Sequence, residues 1–219
     1  MKTVLILSGG MDSATLLHDL HSQGDEVEAV GVNYKQRHGK ELLCAAELCR
    51  RLEVRFDVVD LSSVGNLLTG SSQTDPSVAV PFGRYDEPSM KQTVVPNRNM
   101  IMLSAAAGIA ISRGADRLAY GAHAGDHAIY PDCRPMFVDA MKAALQCCDW
   151  HVLDLWVPYS DIHKGDIAVR GLSLGVPFAE TWTCYVGADE PCGKCGACVE
   201  RAEAFAFAGQ PDPLLGVVR

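Results

Sequence analysis

The hexapeptide SGGMDS at residues 8–13 constrains this chain more than any other feature. It follows an apolar run, KTVLIL at residues 2–7, that reads as a buried strand. It precedes residues 12–23, where Leu16, Leu17 and Leu20 recur at helical spacing and Gly24 marks a stop. Gly9 and Gly10 let the backbone turn sharply from strand to helix. The amides that follow begin a helix, so they have no partners within it, and the helix dipole favours an anion above them. Ser8 and Ser13 add hydroxyl donors. Asp12 cannot serve an anion directly and reads as a magnesium ligand or a helix cap. No Gly-Lys-Ser/Thr follows, so this is not a Walker A loop, and it is not GxGxxG. Two glycines alone would suit a plain turn; six residues in this order, at the end of a first strand, point to a phosphate loop.

The rest of the chain continues the alternation. Strands are expected at residues 28–34, 55–59, 117–120 and 152–157. Helices are expected at 39–52, 97–113, 135–150 and 164–174, with a terminal helix through Phe207. Strand, helix, strand, helix, strand within the first sixty residues implies right-handed parallel crossovers. The expected fold is α/β: a Rossmann-like open parallel sheet with helices on both faces, plus a small C-terminal zinc-binding helical segment. The expected division is residues 1–180 for the nucleotide-binding domain and 181–219 for the metal-binding segment. Residues 62–92 are rich in Gly, Ser, Pro and Asp and show no sustained period, apart from a short helix near 64–68. They read as a lid or binding loop inserted in the first domain.

Charge and cysteine usage narrow the partners. The formal charge is -8, from 19 Lys+Arg against 27 Asp+Glu. Such a chain lacks the basic field that non-specific nucleic-acid binding needs, so direct nucleic-acid contact is not expected. No apolar run approaches the ~20 residues of a membrane span, and no secretory leader is visible, so a cytoplasmic enzyme of small molecules is expected. Four of the nine cysteines, Cys184, Cys192, Cys195 and Cys198, form C-x7-C-x2-C-x2-C. Four thiolates at that spacing suit a closed structural Zn2+ site. An iron–sulfur cluster also takes four thiolates, but the wide first gap and the lack of a C-x3-C-P end weigh against it. Cys44, Cys49, Cys147 and Cys148 lie on expected helices and read as small core residues.

Three further segments are polar where a packed core needs no polarity: NYKQRH at 33–38, VPNRN at 95–99 and GAHAGDHAIYPDCR at 121–134. The first and third follow strands, where ligands of open parallel sheets sit. They gather Arg37, His38, Asp126, Tyr130, Asp132 and Arg134 around one crevice. The SGGxDS loop is similar to that of the N-type ATP pyrophosphatases, within the adenine nucleotide alpha hydrolase-like superfamily. Together with the other motifs and the cysteine tail, it resembles the QueC family of 7-cyano-7-deazaguanine synthases over nearly the whole chain. YPDCR combined with the four-cysteine tail is the specific part.

The resemblance implies an ATP-dependent carbon–nitrogen ligase acting on 7-carboxy-7-deazaguanine and ammonia, working as a homodimer. It maps the ATP-binding stretch onto Leu7, Ser8, Gly9, Gly10, Met11, Asp12, Ser13, Ala14, Thr15, Leu16 and Leu17, and the zinc ligands onto the four tail cysteines. Arg37 or Arg134 would hold a carboxylate or phosphate oxygen. Asp126 or Asp132 would accept from the guanine-like edge or bind Mg2+, and His38 would deprotonate ammonium. His123 and His127 are four apart, a metal-binding spacing on a helix, but Gly125 between them argues for a loop. The alternatives are another adenylating ligase with this loop, tRNA-modifying or amide-forming, and a zinc-knuckle binding module without catalysis. Thiolation would need two redox-available cysteines near the loop, and zinc would occupy the tail thiolates.

Overall fold

A computed structural model of the chain describes residues 1–216. The last three residues of the expected C-terminal segment, 217–219, lie outside the described residues. Five parallel strands form one sheet: β1 (Lys2–Ile6), β2 (Glu26–Asn33), β3 (Arg55–Asp60), β4 (Arg117–Ala119) and β5 (Asp154–Trp156). Their order is β3-β2-β1-β4-β5, so the winding reverses at β1. Register pairs Leu5 with Ala29 on one side and with Ala119 on the other. As the central strand, β1 is covered on both faces, which explains its unbroken apolar run. Val4 and Ile6 point into one core and Leu5 and Leu7 into the other. Fully burying each such side chain is worth about 1.5–3 kcal/mol.

Helices cover both faces, as the alternation predicts. On one side lie α1 (Met11–Ser22), α2 (Lys40–Arg51), α6 (Lys164–Ser173) and α7 (Gly196–Phe207). Leu16, Leu17, Leu20, Leu48, Ile167 and Phe205 are buried beneath them. On the other side, α4 (Arg98–Ser112) and α5 (Pro135–Leu145) cover the sheet. The small Ala106, Ala107 and Ala110 let α4 lie close to it. α1 and α6 approach so closely that a Cβ on Gly171 would stand 2.3 Å from the Phe178 ring and 2.6 Å from the Thr15 hydroxyl.

Three expectations are corrected. α5 ends at Leu145, not near residue 150. Beyond it the Asp149 carboxylate accepts the His151 amide at 2.9 Å, closing a turn, and Trp150 is fully exposed. Cys147 and Cys148 therefore lie outside the helix and are exposed; of the four cysteines read as core, Cys49 is buried and Cys44 half-buried. The short helix after β3 is α3 (Ser62–Gly65), earlier than expected. The insertion that follows is packed against the body: Ser71, Ser72 and Gln73 are buried.

Candidate active site

A cavity of about 200 Å³ opens at the carboxyl ends of β1, β2 and β4, where the winding reverses. Residues of the SGGMDS turn form one wall. Gly9 has φ +89°, and a Cβ there would stand 2.0 Å from the Glu41 carbonyl, so the turn nests against the start of α2. The Ser8 hydroxyl accepts from the Gly10 amide at 3.2 Å and lies 3.1 Å from the Ser13 hydroxyl. The amides of Met11, Asp12 and Ser13, at the start of α1, make no hydrogen bond among the described residues. Leu7, Ser8, Gly10, Met11, Asp12 and Ser13 line the cavity. Ala14, Thr15, Leu16 and Leu17 are buried behind it and support the loop from the core.

Beside the loop lies a largely buried charge cluster, each side chain at least about four-fifths covered. Lys164 Nζ, at the first residue of α6, is 3.0 Å from Asp12 Oδ2 and 2.8 Å from Glu200 Oε2 on α7. His123 Nε2 is 3.6 Å from Asp126 Oδ1 and 3.9 Å from Asp12 Oδ2. Tyr85, from the 62–92 insertion, donates to Asp126 Oδ1 at 2.9 Å. Burial pushes the Asp126 carboxyl up, but His123, Lys164, the His123 amide and the Tyr85 hydroxyl more than offset it, and the acid ends below its ordinary range. Burial prevails at Glu200, which is raised. Burial also opposes charge on Lys164, yet Asp12, Glu200 and Asp126 outweigh it and hold the ammonium protonated. The second oxygen of Asp12, Oδ1, is buried without a partner.

The structure separates the residues expected to meet substrate. His38 and Asp126 line the cavity. His38 Nε2 is 3.3 Å from Glu41 Oε2, its Nδ1 has no partner, and its ring lies 5.5 Å from that of Tyr185. Arg37 donates to the carbonyls of Asp75 and Val78, bracing the insertion. Asp132 Oδ2 accepts the Asn99 amide at 3.0 Å, satisfying the start of α4. Arg134 is exposed and donates to the His127 carbonyl. Neither arginine nor Asp132 is a cavity residue. His123 caps a 3-10 turn, Ala124–Ala128: its Nδ1 accepts the Gly125 amide, which excludes a helical pair with His127. Lys164, Glu200, Tyr85 and Glu41 were not singled out by sequence, because each is an isolated residue whose partners arrive only through tertiary packing.

Behind the cavity, the sulfurs of Cys184, Cys192, Cys195 and Cys198 all lie within 4.8 Å of one another. Four sulfurs around one zinc ion at about 2.3 Å would stand about 3.8 Å apart, so the set fits. Backbone amides of Val186 and Cys192 point at the Cys184 sulfur, at 3.4 and 3.3 Å. The amides of Lys194 and Cys195 point likewise at the Cys192 sulfur, at 3.4 and 3.3 Å. Cys195 sits just before α7, so Cys198 follows one turn later.

The model of the family described as "Queuosine biosynthesis protein QueC" matches residues 2–209. The chain belongs to the QueC family. A relative from Methanoregula boonei, named 7-cyano-7-deazaguanine synthase, is 59% identical over 214 residues, 98% of either chain. One of the same name from Hahella chejuensis is 51% identical over 97% of this chain and 92% of its own. Among solved structures, NMN synthetase from Francisella tularensis shares the fold, with a TM-score of 0.51 over 95% of this chain and 77% of that one, at 14% identity. The QueC match spans the phosphate loop, the cavity and the cysteine set together. Among the described residues no helix is long and apolar enough to cross a membrane.

Proposed function

We propose that this chain is an ATP-dependent carbon–nitrogen ligase that converts 7-carboxy-7-deazaguanine and ammonia into 7-cyano-7-deazaguanine. The carrying observation is the set of free helix-start amides at Met11, Asp12 and Ser13 beside the largely buried Lys164, within a chain of the QueC family. A substrate carboxylate oxygen attacks the α-phosphorus of ATP and pyrophosphate leaves. The loop amides and the Lys164 ammonium take up the charge of the leaving group. Ammonia displaces AMP to give the amide. The amide oxygen then attacks a second ATP, and loss of AMP and two protons leaves the nitrile. His38 takes the proton of ammonium; its unpartnered Nδ1 suits that role. Asp126, kept ionised, accepts from the guanine-like edge. Arg37 and Asp132 position the insertion and the start of α4, outside the cavity lining, and Arg134 braces the His127 loop.

Asp12, with its orphaned Oδ1, is the residue that would hold Mg2+, which supplies charge neutralisation at the phosphates. The four tail cysteines would hold structural Zn2+. Residues 1–180 form the nucleotide-binding domain and 181–219 the metal-binding segment, which also lends Tyr185 and Ala197 to the cavity wall. The protein works in the cytoplasm as a homodimer, and light scattering of the purified protein tests that state. The deciding experiment is mass analysis of products from protein, ATP, magnesium, ammonium and the carboxy-deazapurine. The nitrile is expected, with one substrate oxygen appearing in each AMP. An endpoint at the amide would remove the second activation, and AMP release with tRNA alone would overturn the reading.

A further inference from the structure

Arg98 opens α4, and its side chain lines the cavity. Its Nε is shut off from solvent and has no hydrogen-bond partner. Of its other side-chain nitrogens, the one acceptor contact is with the Tyr34 hydroxyl, and no carboxylate lies within ion-pair distance of the guanidinium, among the described residues. Every other arginine among them donates to a carboxylate or carbonyl. Its surroundings are aromatic instead: the guanidinium carbon lies 5.6 Å from the centroid of the Tyr130 ring, and Tyr34 and Tyr120 stand nearby. A guanidinium with unmet donors in such a place is costly unless a ligand completes it. The face of a ring offsets part of that cost but satisfies no N–H. The phosphate groups of ATP already have a receptor in the loop amides and Lys164.

We propose that Arg98 is the receptor for the carboxylate of the planar heteroaromatic acid. Its fork holds that group while the tyrosines face the flat ring system. This rests on the ligase reading above and adds a specificity to it: the acid needs Arg98, whereas the neutral amide of the second activation does not. The loss of charge on forming the amide thus releases the group from Arg98 for its second turn at ATP.

The test uses the full-length protein and its Arg98→Gln and Arg98→Lys variants. Binding of Mg-ATP, of 7-carboxy-7-deazaguanine and of its amide is measured separately, together with turnover of acid and of amide to nitrile. A lost charge-assisted fork predicts roughly 10- to 100-fold weaker acid binding in Arg98→Gln. ATP and amide binding, and turnover of the amide, are expected to stay within about threefold of the unmodified protein's. Arg98→Lys, which keeps charge and approximate bulk, recovers part of the acid affinity and carries the test if the glutamine variant fails to fold. Weakened ATP binding with unchanged acid binding would place Arg98 at the phosphates and overturn the proposal. Equal losses for acid and amide would make it a shape element and do the same. If the unmodified protein binds neither acid nor amide, the ligase reading fails instead.

Discussion

Truncating Lys164 to methionine is the sharpest probe of the charge cluster. Its ammonium stands 3.0 Å from Asp12 and 2.8 Å from Glu200. At an effective dielectric of about 20, each contact is worth about 5–6 kcal/mol of gross attraction, most of it offset by desolvation. The relevant quantity is what remains after truncation: Asp12, Glu200 and Asp126 in one pocket with the ammonium gone. Breaking a buried pair in this way costs about 3–5 kcal/mol. With an unfolding entropy of about 2.1 cal/mol/K per residue over 219 residues, that lowers Tm by about 7–11 °C. Glu200 already has its carboxyl raised above the ordinary 4.5, and loss of Lys164 raises it further. An acid raised on folding binds its proton more tightly in the folded state. The variant's deficit is therefore largest above the folded value and shrinks as pH falls through it toward 4.5. Calorimetry of Lys164→Met between pH 4.5 and 8 reads this directly, and Lys164→Met/Glu200→Gln is expected to recover at least half of the lost Tm. Adenylation falls about 10²–10³-fold in both variants, because the charge facing the leaving group is gone. A Tm within about 2 °C of the unmodified protein's at all pH values, with adenylation intact, would refute the coupling.

Three further outcomes follow from the geometry. Cys198→Ser is expected to lose bound metal by elemental analysis and to melt well below the unmodified protein, whereas exposed Cys147→Ser changes neither. Gly9→Ala, with φ +89° and a Cβ driven against the Glu41 carbonyl, costs about 2–5 kcal/mol in urea unfolding; Gly175→Ala, also left-handed but in open space, costs about 1–2 kcal/mol. Burial pushes Asp19 up, but Arg170, Gln23 and Tyr159 hold its folded-state pKa below the ordinary 3.8, so its stabilisation is complete above that value and lost as pH falls through the folded one. Asp19→Asn should be about 1–3 kcal/mol less stable at pH 7 and show a shallower acid limb in urea titrations down to pH 3.

Element order and type were legible in the sequence because the sheet is parallel and covered. A central strand must be apolar on both faces, and Val4, Leu5, Ile6 and Leu7 are. The phosphate turn was legible because glycine at position 9 answers a local backbone demand. The end of α5 was not, since no glycine or proline marks it and the stop comes from an aspartate turn. Polar residues near strand ends pointed to the crevice but not to their own partners. Arg37 and Arg134 were expected to hold an anion; in the fold one nitrogen of each donates to a backbone carbonyl of a neighbouring loop, a partner that local sequence does not reveal. Lys164 and Glu200 are 36 positions apart and carry no motif; only the packing of α6 on α7 joins them.

The cysteine set is tied to the cavity mechanically, through backbone contacts at both ends of its segment. Phe82 bridges to Cys195, and the Gly83 amide donates to the Lys194 carbonyl at 3.1 Å, so the insertion is stitched to the cysteine-bearing segment. That stitch sets Tyr85 against Gly196 and lets its hydroxyl reach Asp126. At the other end of the segment, the Trp182 amide donates to the Gly9 carbonyl at 2.9 Å, tying it to the phosphate turn. Fully buried Arg201 holds Asp212, Thr181 and the Phe178 carbonyl, anchoring α7 to the same stretch. Losing the metal would loosen the segment between these fixed points and with it both Gly9 and Tyr85. A closed four-thiolate metal site at these cysteines would therefore act on adenylation through the backbone alone, by keeping the loop amides and Asp126 aimed into one cavity.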